Sequence, residues 1–162
     1  MKNSDGVEWA IHCCAMLASL PPENRLSKTK LAEFFELPEH YLAKIMQQLS
    51  HAELISSTRG AHGGYRLSKP AKEVSMLEIV QAIDGKKPFF RCSEIRQCGP
   101  SAVSKKLYPR PCSIARTMWK AEAAWQKELA SVSLEDIWAQ GVAEMPAEQL
   151  EKSAAWINEL ST

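Results

Sequence analysis

No stretch of this 162-residue chain approaches the ~20 consecutive apolar residues of a membrane helix, so a membrane-spanning protein is not expected. A charged N-terminal region followed by an apolar stretch and a cleavage site is also missing, so no signal peptide is read and the chain is expected in the cytoplasm. In that compartment its five cysteines should be thiols or metal ligands, not structural disulfides. There is no nucleophile–base motif, no phosphate-cradling glycine loop and no substrate signature, which argues against an enzyme. Internal repeats are absent. Net charge is nearly absent too, at +1, but that sum conceals a polarity. Residues 86–120 carry nine Lys and Arg against the single acid Glu94, whereas residues 121–162 carry eight acids against two lysines. A basic segment suits phosphate or an anionic cofactor, and an acidic tail is usually a solvated surface.

The apolar pattern predicts a mostly α chain with one small hairpin, and a size of one domain or one domain with an extension. Residues 5–20 read as a helix that Asp5 can cap and Pro21-Pro22 stop. Its apolar face is Val7, Ala10, Cys14, Leu17 and Ala18, with Cys13 at the edge; both cysteines are read as core. Ser27 caps a helix over about 28–35, Leu37-Pro38 makes a turn, and a third helix runs over about 39–51. Two helices with a tight break form a helix-turn-helix pattern. Residues 54–58 and 65–67 read as strands joined by the glycine-rich turn 59–64, so the hairpin makes a winged helix. Ser75 caps a further helix to about Asp84, which Gly85 ends. Residues 86–112 show no periodicity, and so long an irregular loop is uncommon unless it serves a function. Ser113 opens a long helix whose stripe of Ile114, Met118, Ala121, Trp125, Leu129 and Val132, flanked by Trp119, suggests dimerisation. A last helix over about 147–160 is expected to pack on that dimer region. The chain thus divides into a winged-helix domain (1–85), a cysteine-bearing loop (86–112), and a dimerisation helix with a helical extension (113–162).

Two sets of residues carry chemistry. Glu8 and His12 are four apart, hence on one helical face, and they point away from the apolar side of their own helix. A carboxylate and an imidazole so placed can grip one metal. Cys92, Cys98 and Cys112 lie in the basic, Pro/Gly-punctuated loop, and Cys112 precedes a helix N-terminus that stabilises a thiolate. The bland reading of the first pair is a surface histidine beside a solvated acid. The second set is the DNA face. Ser27, Lys28 and Thr29 open the second helix, where a phosphate binds well. His40, Tyr41, Lys44, Gln47 and Gln48 lie on the outer or N-terminal part of the third; Tyr41 and Lys44 suit phosphates, and the two glutamines suit adenine edges. Arg59 and His62 in the wing suit a narrow minor groove. Residues 26–85 hold seven basic and seven acidic side chains, so local placement and not net charge must draw the DNA.

The pattern resembles the Rrf-type winged-helix regulators of bacteria, which include the iron–sulfur cluster regulator and the nitric-oxide-sensing repressor. The resemblance rests on Tyr41-Leu42 and Leu49, Ala52-Glu53-Leu54-Ile55, Arg59-Gly60 through Gly63-Gly64-Tyr65-Arg66-Leu67, the stretch Leu77 to Gly85, and a cysteine loop before a long helix, over roughly residues 1–135. It implies a homodimer built on crossed long helices, a double-stranded operator as partner, and an iron–sulfur cluster in the loop. Glu8 and His12 with a widely spaced cysteine pair are more similar to the redox-sensing 2Fe–2S (RsrR-like) branch, which implies Glu8 and His12 of one subunit with Cys92 and Cys112 of the other. Cys98 is the alternative thiolate. The resemblance therefore implies a redox-responsive repressor. Three readings stand beside it: a nitric-oxide-sensing repressor with a three-cysteine, 4Fe–4S-type cluster, zinc on the same residues, and a non-regulatory metal or electron carrier.

Overall fold

The computed structural model describes residues 5–21, 23–60 and 63–159. The expectations for Pro22, Ala61, His62 and Leu160 fall outside these residues. In chain order the elements are α1 (Asp5–Ala18), α2 (Lys28–Phe35), α3 (Glu39–His51), β1 (Ile55–Thr58), β2 (Gly64–Leu67), α4 (Met76–Asp84), α5 (Ser113–Ser131), α6 (Leu134–Glu144) and α7 (Ala147–Glu159). This is the mostly α architecture with a hairpin wing that the sequence predicts.

Local chemistry explains the boundaries. The Ser27 hydroxyl accepts the Lys30 N–H at 3.1 Å and starts α2. Glu36 closes it in the left-handed conformation at φ 51°, and Pro38 lets α3 begin two residues on. β1 and β2 pair antiparallel, Ile55 opposite Leu67 and Thr58 opposite Gly64. Leu26 extends the hairpin: its N–H donates to the Tyr65 carbonyl at 3.1 Å and its carbonyl accepts from the Tyr65 N–H at 2.8 Å. A Cβ on Gly64 would lie 2.7 Å from the Leu26 carbonyl oxygen, so only glycine permits that approach.

The core forms where α1 crosses α3, α4 and α6. Cys13 and Cys14 are both fully buried there, as expected, and Val7, Ala10 and Leu17 join them. Cys13 is as deep as Cys14 instead of lying at the edge of the face.

Two features of the C-terminal third differ from the sequence reading. The first is α6, which periodicity over 113–132 did not anticipate. Val132 does not continue the α5 stripe; it ends the helix in an extended conformation, and its carbonyl accepts the Met76 N–H at 2.9 Å. The Leu134 N–H in turn donates to the Val74 carbonyl at 2.8 Å, so the starts of α4 and α6 are stitched side by side. Each start is a capping box, Ser75 with Glu78 and Ser133 with Asp136. Leu134 is fully buried, which contributes about 1.5–3 kcal/mol. The second feature is α7, expected on the dimer region. It folds back on the winged helix, with the Trp156 ring 4.8 Å from that of Phe34 in α2. The apolar positions of α7 find a complementary aromatic surface within the same chain. On α5, Ile114, Met118 and Trp119 remain exposed. No described helix is long and apolar enough to cross a membrane.

Candidate nucleic-acid interface and metal-ligand half-sites

The residues expected to meet DNA lie on α2, α3 and the wing. His40, Lys44 and Gln47 are exposed along α3, and Arg59 is exposed at the end of β1. Tyr41 is exposed too, and its ring meets that of Trp9 edge-on at 5.2 Å, which ties the start of α3 to α1. Glu39 gathers the start of α2: the Lys28 ammonium lies 3.0 Å from its carboxylate, and the Thr29 hydroxyl donates to it at 3.2 Å. The hydrogen bond from Lys28 holds the Glu39 carboxyl below its usual range. Ser27 spends its oxygen on the cap. The two glutamines separate: the Gln48 amide donates to the Ile83 carbonyl at 3.0 Å and fastens α3 to α4, whereas Gln47 faces out. His62 lies outside the described residues.

The metal-ligand candidates form two groups. Glu8 and His12 are exposed on neighbouring turns of α1, with the imidazole 5.8 Å from the Phe35 ring. In the loop, one carboxylate organises two cysteines. The Cys92 thiol donates to Glu94 Oε1 at 3.3 Å, and the backbone N–H of Cys112 donates to the same oxygen at 3.2 Å. The Glu94 N–H also donates to Cys92 Sγ at 3.4 Å. Glu94 Oε2 accepts from Arg96 at 2.6 Å, and the Arg96 guanidinium lies 4.5 Å over the Tyr108 ring, whose hydroxyl donates to the Arg96 carbonyl at 3.1 Å. Arg96 beside it holds the Glu94 carboxyl below the ordinary range. Glu94 is left-handed at φ 51°, an unfavourable backbone for a non-glycine residue that these bonds sustain. Cys112 is buried at the start of α5, Cys92 is half-buried, and Cys98 is exposed.

Glu94, Arg96 and Tyr108 organise this loop and are not among the residues the sequence singles out. Their signal was present: Glu94 is the single acid among nine cations. Such an acid needs a reason to be there, and holding two cysteines 20 positions apart is one.

Sulfur donors of this kind suit iron–sulfur units, and zinc accepts them too. Imidazole and carboxylate complete a mixed four-donor set. Within one chain, no three His, Cys, Asp or Glu side chains converge as a metal site requires among the described residues. The candidate donors lie in two separate groups, Glu8 and His12 on α1 and Cys92 and Cys112 joined through Glu94.

Comparison with known proteins agrees with the fold. Residues 3–140 match the Rrf2 family, described as iron-dependent transcriptional regulators. YffB of Lactococcus lactis subsp. lactis, described as an HTH-type transcriptional regulator, is 29% identical over 137 residues, covering 85% of this chain and 86% of its own. Its counterpart YwgB of Bacillus subtilis is 26% identical over the same length, covering 85% and 84%. Among solved structures, CymR, the global cysteine regulator of B. subtilis, superposes with a TM-score of 0.68 at 24% identity, covering 86% of this chain and 98% of its own. IscR of T. potens superposes at 0.66 with 23% identity, covering 90% and 93%. The chain belongs to the Rrf2 family of winged-helix, DNA-binding transcriptional regulators.

Proposed function

We propose that this regulator is a homodimeric, redox-responsive repressor of a pseudo-palindromic operator. A 2Fe–2S cluster would be shared by Glu8 and His12 of one protomer and Cys92 and Cys112 of the other. The observation that carries the reading is the single Glu94 oxygen that receives both the Cys92 thiol and the Cys112 N–H. It gathers at the head of α5 two cysteines that the sequence holds far apart. The exposed Ile114, Met118 and Trp119 on α5 give the second copy an apolar surface to bury. The division of the chain into a winged helix, a cysteine loop and a dimerisation region with an extension belongs to the same proposal.

When bound, the cluster supplies a one-electron couple, and ligation by imidazole makes that couple responsive to protonation. The chain's own residues do the rest. Cys92 and Cys112 would supply the sulfur donors, and the Glu94 carboxylate, which accepts from the Cys92 thiol and the Cys112 N–H, would hold that part of the loop against the start of α5. His12 and Glu8 present nitrogen and oxygen from a helix whose next residue, Trp9, touches Tyr41 at the start of α3. A shift of α1 against the partner's loop is thereby carried to the recognition helix. Displacing the two recognition helices from the ~34–36 Å repeat of the duplex weakens binding. On the DNA, Lys28, Thr29, Tyr41 and Lys44 would hold phosphates, Gln47 with His40 would face the major groove, and Arg59 with His62 would enter the minor groove.

The test is spectroscopic and uses protein purified without air. Glu8→Ala and His12→Ala should each alter the visible absorbance and the midpoint potential, and should shrink the difference in operator affinity between oxidised and reduced protein. Unchanged spectra in both variants would remove these residues from the ligand set. Cys98→Ser separates the three-cysteine alternative, because it abolishes that site and spares this one. Gel shifts at low and physiological salt separate an operator-specific repressor from a carrier that adheres to DNA by charge alone.

A further inference from the structure

The match to the family ends at residue 140, and α7 begins at Ala147. This appended helix does more than cover the winged helix. Anchored by Trp156 on Phe34, it walls one side of a cavity of about 530 Å³ between α1, α2 and α6. A volume of that size lies in the range of small-molecule sites, roughly 300–1,000 Å³. Its lining has a distinct chemistry. Trp9, Phe34, Phe35 and Trp138 present aromatic rings, and Leu150 and Ile157 of α7 add aliphatic surface. Among the described residues Glu8 is the one carboxylate in the lining, His12 is the one basic side chain, and no lysine or arginine reaches it. Gln149, Ser19 and Ser153 offer hydrogen bonds.

We propose that this cavity is an effector site for a small organic cation, a protonated amine carried on an aromatic or aliphatic body. Three physical terms favour that class. The aromatic and aliphatic walls gain from burying an apolar body. Ring faces attract a cation through their quadrupoles, the more so where water is excluded. Glu8 supplies the counter-charge, whereas an anion would meet that carboxylate with only the His12 imidazole, and no lysine or arginine, to offset it. The occupant would touch Trp9, whose ring also meets Tyr41, so the site lies one residue from the DNA-reading helix.

The inference goes beyond the redox reading and does not need it. If Glu8 and His12 also ligate iron, the amine and the metal draw on the same carboxylate and weaken one another by equal factors. Binding measured on metal-free protein is independent of that coupling, so the two readings fail separately.

The experiment titrates the full-length protein, both as isolated and after chelation, with phenethylammonium and with its anionic counterpart hydrocinnamate. Calorimetry and tryptophan fluorescence give the readout. The expected result is saturable binding of phenethylammonium, one per chain, with hydrocinnamate at least about tenfold weaker on the metal-free protein. Leu150→Lys, at an exposed position of α7, should cut phenethylammonium affinity at least about tenfold and improve hydrocinnamate binding. Glu8→Gln, on the exposed face of α1, should weaken the cation alone. Equal binding of the two probes, no saturation at millimolar concentration, or unchanged cation affinity in both variants would overturn the proposal.

Discussion

The cysteines of α1 and those of the loop 86–112 show how environment divides one residue type between two tasks. Cys13 and Cys14 are enclosed by α3, α4 and α6, with no surface exposed. Burial pushes the Cys13 thiol up to about 12 and the Cys14 thiol up further, with Cys13 adding to the effect, so neither forms a thiolate at physiological pH. They act as small apolar side chains. Cys112 lies instead at the head of α5, and the Glu94 carboxylate joins it to Cys92 in the loop, accepting from the Cys92 thiol and the Cys112 N–H. α1 reverses the pattern for its polar residues: it buries sulfur and exposes Glu8 and His12. The proposed mixed-donor centre would join these two regions across protomers.

The largest expected effect sharpens that contrast. Cys92→Ala or Cys112→Ala should lower the iron retained per chain by at least about tenfold, whereas Cys13→Ala should leave it unchanged. Iron and sulfide analysis after anaerobic purification measures this. Equal loss from an α1 cysteine and a loop cysteine would dissolve the distinction.

A stability measurement comes next. Cys14→Ser puts a hydroxyl where the surrounding core offers only apolar neighbours and should cost about 1–3 kcal/mol. Cys98→Ser, at an exposed position, should stay within about 0.5 kcal/mol of the parent. Denaturant unfolding with a constant slope separates the two. Similar midpoints for the variants would show that the α1 site tolerates polarity and is not a true core.

The smallest effect concerns protons and reagents. Native protein treated with iodoacetamide should be labelled first at Cys98, while Cys13 and Cys14 react only as the chain unfolds. The same burial gives a sign for pH. The folded Cys13 keeps its proton up to about 12, and the unfolded thiol loses it near 9.0. Its contribution to stability is complete below pH 9.0 and declines as pH rises towards about 12. Unfolding midpoints followed across that interval should fall, and Cys13→Ala should flatten the decline. A parent curve that rises with pH would contradict the burial of these thiols.

Local signals account for what could be read in the chain beforehand. Ser27, Pro38, Ser75 and Gly85 bound their helices by rules that act within one turn, and Gly64 marks the wing by its close approach to Leu26. α6 also has its local signal, the Ser133–Asp136 capping box around Leu134 and ahead of Ile137 and Trp138. It was passed over because the α5 stripe could be extended through Val132 on paper. What bends the chain at Val132 is pairing with the start of α4, a contact 56 positions away in sequence.

Residue order alone settled the secondary elements other than α6, the burial of Cys13 and Cys14, and the outward direction of Glu8 and His12, because capping and helical periodicity are properties of neighbours. Folding in three dimensions decided which cysteines Glu94 gathers, that Gln48 turns inward to Ile83 while Gln47 faces out, and that α7 closes a cavity over α1. Those outcomes depend on hydrogen bonds and ring contacts between segments that meet only after collapse, and no spacing within a single segment encodes them.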